Sequence, residues 1–146
     1  MLAKDLKASR SGNAGCDLQQ AGAICYRRNG SGRLRVLLVG SLRNGRRGIP
    51  KGHLDPGETS SVAALREAFE EAGVAGEVDP EVFGSFSYQK DSTPHRYHVA
   101  VHLLEVSGIA TDFPEKTIRK QKWFPIEVAI RDVSQSGLRA LLKRLR

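Results

Sequence analysis

A chain of 146 residues, 40% hydrophobic and 27% charged, has room for one domain with one core, and its composition is too mixed for a collagen-like or wholly disordered protein. The formal net charge of +7 favours polyanionic partners such as nucleic acid, anionic lipid or polyphosphate. No run approaches the roughly 20 apolar residues of a membrane span, and no apolar block at the N-terminus has the make-up of a signal peptide, so the expectation is a cytoplasmic protein with no membrane partner.

Residues 1–17 are polar, small and Gly/Ser-containing and read as an N-terminal extension, with 18–146 as a single domain. Residues 21–27 and 34–41 are apolar runs separated by Asn29-Gly30-Ser31-Gly32, the pattern of a strand pair. Cys25 lies inside the first run. With Cys16 the only other cysteine, no C-x-x-C and no histidine grouped with either, a reduced core thiol is expected and a zinc site is not. Residues 42–48 form a basic, glycine-containing loop. From Ser60 to Ala72, the residues Val62, Leu65, Phe69 and Ala72 recur at helical spacing and are expected to face the core; Thr59, Ser60 and Ser61 are available as N-caps and Gly73 supplies the stop. Residues 82–88, 96–106 and 122–125 read as further strands. Two helices follow, with a break at 134–137, and five bases against one acid over 131–146 place much of the positive excess there. This order suits a mixed sheet covered by helices on both faces.

The chemistry concentrates on the first helix and the turn before it. Glu67, Glu70 and Glu71 fall within an arc of about 100° on a helical wheel, opposite the expected apolar stripe. Like charges four residues apart repel by a few tenths of a kcal/mol on an exposed helix, a cost that a bound divalent cation turns into affinity. Oxygen-only donors suit a hard ion, Mg²⁺ first and Mn²⁺ as the alternative. Ala63 and Ala64, near the same stripe, leave space for a ligand. Glutamate-rich helix faces are more often plain solvated surface, but here they are part of a longer pattern. In KGHLDPGETSSVAALREAFEEAGV, Gly52 is followed after five residues by Glu58, after seven more by Arg66-Glu67-Ala68, and then by Glu70-Glu71 and Gly73-Val74. A chance match at a given start is on the order of 10⁻⁸. The segment resembles the Nudix box.

That resemblance implies an α/β/α sandwich with a central mixed sheet, and hydrolysis of nucleoside diphosphates linked to a further group. Carried over by position, Gly52 would offer its carbonyl to the metal, Glu67 and Glu71 would be ligands, and Glu70 a further ligand or the base. Arg66 would orient the carboxylates and Glu58 would support the loop. Glu105 and Glu115 are the candidates for a base outside the box. Ala68 departs from the family, where a larger aliphatic residue is usual.

Outside the box, 49–53, 94–99 and 119–130 are similar to the diadenosine polyphosphate and diphosphoinositol polyphosphate hydrolases of the same superfamily. The matching positions that would hold outer phosphates are Ser41, Arg43, Lys51, His53, His95, Arg96 and Lys120. Leu18-Gln19-Gln20 stands where the inositol-phosphate enzymes carry a basic cluster, and Lys51 and His53 replace glycines, which ranks dinucleoside polyphosphates first. RNA 5′ ends and a non-catalytic binding module are the competing readings, and both monomer and homodimer stay open. Trp123 and Phe124 invite a base-stacking role, although a strand position favours the core. His98 and His102 read as structural.

Overall fold

The computed structural model describes residues 15–42, 44–90 and 92–146. The expectations for residues 1–14 and for Arg43 lie outside this set. The described residues form eight strands and three helices: β1 (Asp17–Arg28), β2 (Leu34–Gly40), β3 (Arg47–Gly48), β4 (Lys51–His53), α1 (Ser60–Ala72), β5 (Val74–Val78), β6 (Gly84–Gln89), β7 (Arg96–Ile109), β8 (Gln121–Pro125), α2 (Ile126–Asp132) and α3 (Ser136–Leu145). Asp17 is already part of β1, and β5, which follows directly on Gly73, has no counterpart in the sequence pattern. Among the described residues no helix is long and apolar enough to cross a membrane.

All eight strands join one mixed sheet. Its centre is a long parallel ladder between β1 and β7, running from Asp17↔Arg96 to Tyr26↔Glu105. The other edge of β1 is shared. Tyr26 to Arg28 pair with β2, whereas Gln20 to Gly22 pair with β4, and β2 continues toward β3 and β8. The sheet therefore splits between β1 and β2, and the split opens into a cavity.

One sheet face is covered by α2 and α3, around Ile24, Val36, Leu38, Val99, Val101, Leu138 and Leu142. The other is covered by α1, around Ala21, Ala23, Cys25, Leu37, Ala64 and Ala68. This is a three-layer sandwich. Alternation along β1 sends Ala21, Ala23 and Cys25 to one layer and Ile24 to the other, as a strand buried on both faces requires.

The seating of α1 corrects the sequence-based expectation. Its buried residues are Ala63, Ala64, Glu67, Ala68, Glu71 and Ala72; Val62 is 54% exposed and Phe69 41%, with Leu65 half-buried. The helix lies on its alanine face, so Glu67 and Glu71 point at the sheet and not away from it. Ala63 and Ala64 are fully buried and leave no ligand space. Small residues on both sides, Ala21 and Ala23 on β1 and the alanines on α1, let helix and strand approach closely, which fixes the glutamates relative to β4. Ala68, fully buried, is small enough for this contact.

Candidate active site

The turn before α1 is set by local chemistry. In Asp55-Pro56-Gly57-Glu58, proline fixes φ at the second position and Gly57 takes a positive φ of 78° at the third. The Glu58 N–H closes the turn on the Asp55 carbonyl at 3.0 Å, and the Glu58 carboxylate accepts the Asp55 N–H at 2.8 Å. Thr59 caps α1 by accepting the Val62 N–H, and Gly73, at φ 70°, ends it.

Arg66 binds this turn to the helix. Its Nε and Nη2 donate to the two Glu58 oxygens at 2.7 and 2.8 Å, a bidentate fork. Nη2 also reaches the His53 carbonyl at 3.0 Å, and Nη1 donates to Glu67 at 2.9 Å and Glu70 at 3.3 Å. The fork, with the Asp55 N–H behind it, holds the Glu58 carboxyl down at about 2, and the same contacts raise the proton affinity of Arg66 further. One guanidinium thus joins β4, the turn and two carboxylates of the helix.

Glu67 and Glu71 sit one turn apart, 8% and 5% exposed. Burial raises the Glu67 pKa against the pull of Arg66. Burial likewise raises Glu71 to about 8, with Arg119 and Lys51 opposing the shift. Desolvation, not mutual repulsion, is the larger cause in both. Gly52 passes directly over the Glu67 carboxylate, where any Cβ would be driven into it. Among the described residues no three acidic, histidine or cysteine side chains converge into a ready-made ion cage. Arginines occupy that role: Arg66 bridges Glu67 and Glu70, and Arg119 lies 3.6 Å from Glu71. Two buried carboxylates under strong desolvation, beside a backbone that leaves room only for hydrogen, still make an oxygen-only donor set fit for a hard divalent cation.

Arg119 extends the network. It donates to Glu115 and, at 2.9 Å, to the Gly40 carbonyl at the end of β2. Glu115 is itself anchored, its N–H bonded to the Glu70 carbonyl at 2.9 Å. Glu105 lies elsewhere, beside Tyr26, whose phenol pKa is raised by burial and by that charge.

The split in the sheet opens into a cavity of about 320 Å³ whose lining includes Glu71, Ser41, Gln20 and Tyr88 together with five cations, Arg46, Arg47, Lys51, Lys90 and Arg119. Lys51 stands 4.9 Å from the Tyr88 ring centroid, and burial lowers its pKa against the opposing pull of Glu71. The Tyr88 hydroxyl donates to Gln20 at 2.9 Å.

Of the positions expected to hold phosphates, Ser41 and Lys51 line this cavity. His53 faces Tyr97, with ring centroids 6.1 Å apart; His95 accepts the Cys16 N–H at 2.9 Å; Arg96 is exposed at the start of β7. Lys120 lines a second cavity instead. Arg46, Arg47, Lys90 and Arg119 were not singled out in the sequence. The basic loop signalled the first two, whereas Arg119 becomes visible only when β8 is placed beside β2. Phe124 is buried in the core, and Trp123 packs at the edge of the α1 layer under the Arg27 guanidinium, 3.9 Å from its centroid; neither lines the first cavity. His102 is fully buried between Ser60 Oγ and the Asp79 carbonyl, and His98 bonds Ser87, both structural roles. Cys25 and Cys16 are free thiols.

The NUDIX domain family model matches residues 18–145. The chain is 36% identical over 116 residues to the diphosphoinositol polyphosphate phosphohydrolase 3-beta of Bos taurus, covering 77% of this chain and 67% of that one. It is 32% identical to the chloroplastic Nudix hydrolase 21 of Arabidopsis thaliana, covering 81% of this chain and 60% of the relative. A crystal structure of the C. elegans Ap4A hydrolase in a binary complex superposes with a TM-score of 0.69 at 26% identity, over 88% of this chain and 94% of that one. A glycine turn clamped to a glutamate helix by one arginine, a sheet that splits beside it and a family match across nearly the whole chain lead to one assignment: this chain belongs to the Nudix hydrolase family.

Proposed function

We propose that the chain hydrolyses phosphoanhydride bonds in nucleoside diphosphates linked to a further group, dinucleoside polyphosphates first among them, with Mg²⁺ as cofactor and Mn²⁺ as its alternative. The position of Glu71 carries this reading. It shares the buried face of α1 with Glu67 and also lines the cavity with five cations, so a carboxylate able to hold a metal and a pocket able to hold a phosphate chain meet at one side chain.

In this assignment the Gly52 carbonyl, Glu67 and Glu71 hold the ion, and Glu70 is a further ligand or the base. A bound divalent cation lowers the pKa of a coordinated water and offsets charge on phosphoryl oxygens. The protein supplies the rest. Arg66 is a positioning residue that keeps Glu67 and Glu70 aimed from one guanidinium, and Glu58 fixes Arg66. Glu70, the most exposed of the three glutamates at 35% of its side chain, reaches solvent and can take a proton from the attacking water. Arg119, Lys51, Arg46 and Arg47 face the phosphate chain and stabilise the negative charge that builds on it.

Identity to the bovine enzyme favours a second reading, diphosphoinositol polyphosphates. Against it, Gln20 stands in the cavity bonded to Tyr88, where a basic side chain would suit a densely phosphorylated ring. RNA 5′ ends draw less support from the C-terminal charge than its sum suggests. Arg139 is consumed inside the fold, donating to the Ile130 and Val133 carbonyls, and Arg144 stacks on Phe83.

A panel of diadenosine polyphosphates, diphosphoinositol polyphosphates and 5′-triphosphate RNA, scored by product masses with and without Mg²⁺, tests the assignment. Dinucleotide cleavage that requires the ion and is lost by at least about 10²-fold in Glu71→Gln is the expected result. Turnover that persists in Glu71→Gln, or in chelator, would overturn it.

A further inference from the structure

Beside the first cavity lies a second, of about 630 Å³, lined by Ile109, Ala110, Thr111, Phe113 and Gln121 and by five cations, Arg47, Lys116, Arg119, Lys120 and Lys122. The two share Arg47 and Arg119 as a common wall. No acidic side chain is among the residues lining the second. Its outer rim is fastened to the catalytic helix: the Ala110 N–H bonds the Gly73 carbonyl at 2.8 Å and the Glu115 N–H bonds the Glu70 carbonyl. The Phe113 ring packs on Gly73, where a Cβ would collide with it. The cavity is therefore held at a fixed offset from Glu70 and Glu71.

One of its lining residues carries an unsatisfied atom. Gln121 Oε1 is buried and has no hydrogen-bond partner among the described residues, whereas buried acceptors in folded proteins are normally paired. An amide oxygen needs an N–H or O–H donor. Phosphate groups ionised at neutral pH offer acceptors almost exclusively, so a ring covered in phosphates leaves this atom unpaired, whereas a nucleoside brings hydroxyls and, in most bases, an exocyclic amine. Phe113 and Ile109 offer apolar and aromatic surface for a base, and Lys120 makes no ion pair among the described residues and remains available to a phosphate.

We infer that the second cavity seats the far end of the substrate, a nucleoside 5′-phosphate, with Gln121 accepting a hydrogen bond from it. This inference rests on the proposed hydrolysis, and extends it: the phosphate chain passes from Glu71 along Arg47 and Arg119, and the nucleoside at its end rests between Phe113 and Gln121. The arrangement selects substrates with a nucleoside at each end over compact polyphosphates.

The test uses the whole chain and AMP as probe, without added metal, reading the Gln121 side-chain amide and Phe113 ring resonances alongside calorimetric affinity. AMP should shift both resonances; inorganic phosphate and ribose 5-phosphate should bind more weakly and leave the Phe113 ring unmoved. Gln121→Leu should weaken AMP roughly tenfold and leave thermal stability equal or higher, because it removes an unpaired acceptor. Lys120→Glu, an exposed change that does not burden folding, should weaken AMP as well. If AMP leaves Gln121 undisturbed, or both variants bind AMP like the wild type, or ribose 5-phosphate matches AMP, the assignment falls whatever the substrate panel shows. Gln121-dependent AMP binding in a protein that cleaves no dinucleotide would keep the nucleoside seat and remove the proposed reaction instead.

Discussion

Gly52 and Glu58 show how single residues carry the site. A methyl group at Gly52 would meet the carboxylate of Glu67 and not backbone, and a side-chain end can swing aside. Gly52→Ala is therefore expected to fold with near-normal thermal stability while losing at least about tenfold in kcat/KM, because the displaced carboxylate is one of the two proposed to hold the metal; equal losses of stability and activity would point to a structural role instead. Glu58 acts through protons. Its folded pKa, about 2, lies below the ordinary 4.5, so it contributes stability that is fully present above pH 4.5 and is lost as pH falls through 2. Denaturant titrations should find Glu58→Gln less stable than wild type at pH 7, with the gap closing between pH 4.5 and 2.

At the scale of elements, the helix α1 inverts a common assumption about apolar faces. Val62 and Phe69 are its large apolar side chains in solvent, and its contact surface is built from alanines. Ala68→Leu should overpack the contact with β1 and cost about 1–3 kcal/mol, whereas Val62→Ser should stay within about 0.5 kcal/mol; thermal melts of the two variants decide between the faces. The existence and ends of α1 were legible in the sequence because a capping threonine and a left-handed glycine bracket it. Which face is buried was not, since large residues dominate any apolar pattern and alanines contribute little to it. The box residues were equally legible, their spacing being a property of one turn and one helix. The cations of the cavity come from four separate places, the 41–48 loop, β4, the end of β6 and the approach to β8, and only the split between β1 and β2 brings them together. Strand β5 escaped notice because Val74-Ala75-Gly76-Glu77-Val78 is short and interrupted by glycine, and its pairing with β7 shifts register there.

For the whole molecule, the positive excess is partly spent on internal contacts, but the two adjoining cavities keep a surplus that acts on an approaching anion at long range. Screening shortens that reach to about 10 Å near 0.1 M salt. Raising ionic strength from about 0.05 to 0.5 M is thus expected to raise KM several-fold with a smaller change in kcat, and stopped-flow association should slow in parallel; a KM insensitive to salt would mean the cations serve the fold alone. The β1–β7 ladder joins residues 17–26 to 96–105 and encloses the glycine turn and its helix in the intervening length. Long-range parallel pairing is slow to form because the loop must close before any contact repays it. During synthesis, the glutamates of α1 emerge well before the strand that completes the sheet beneath them, so hydrolytic competence can arise only after residue 105 has left the ribosome.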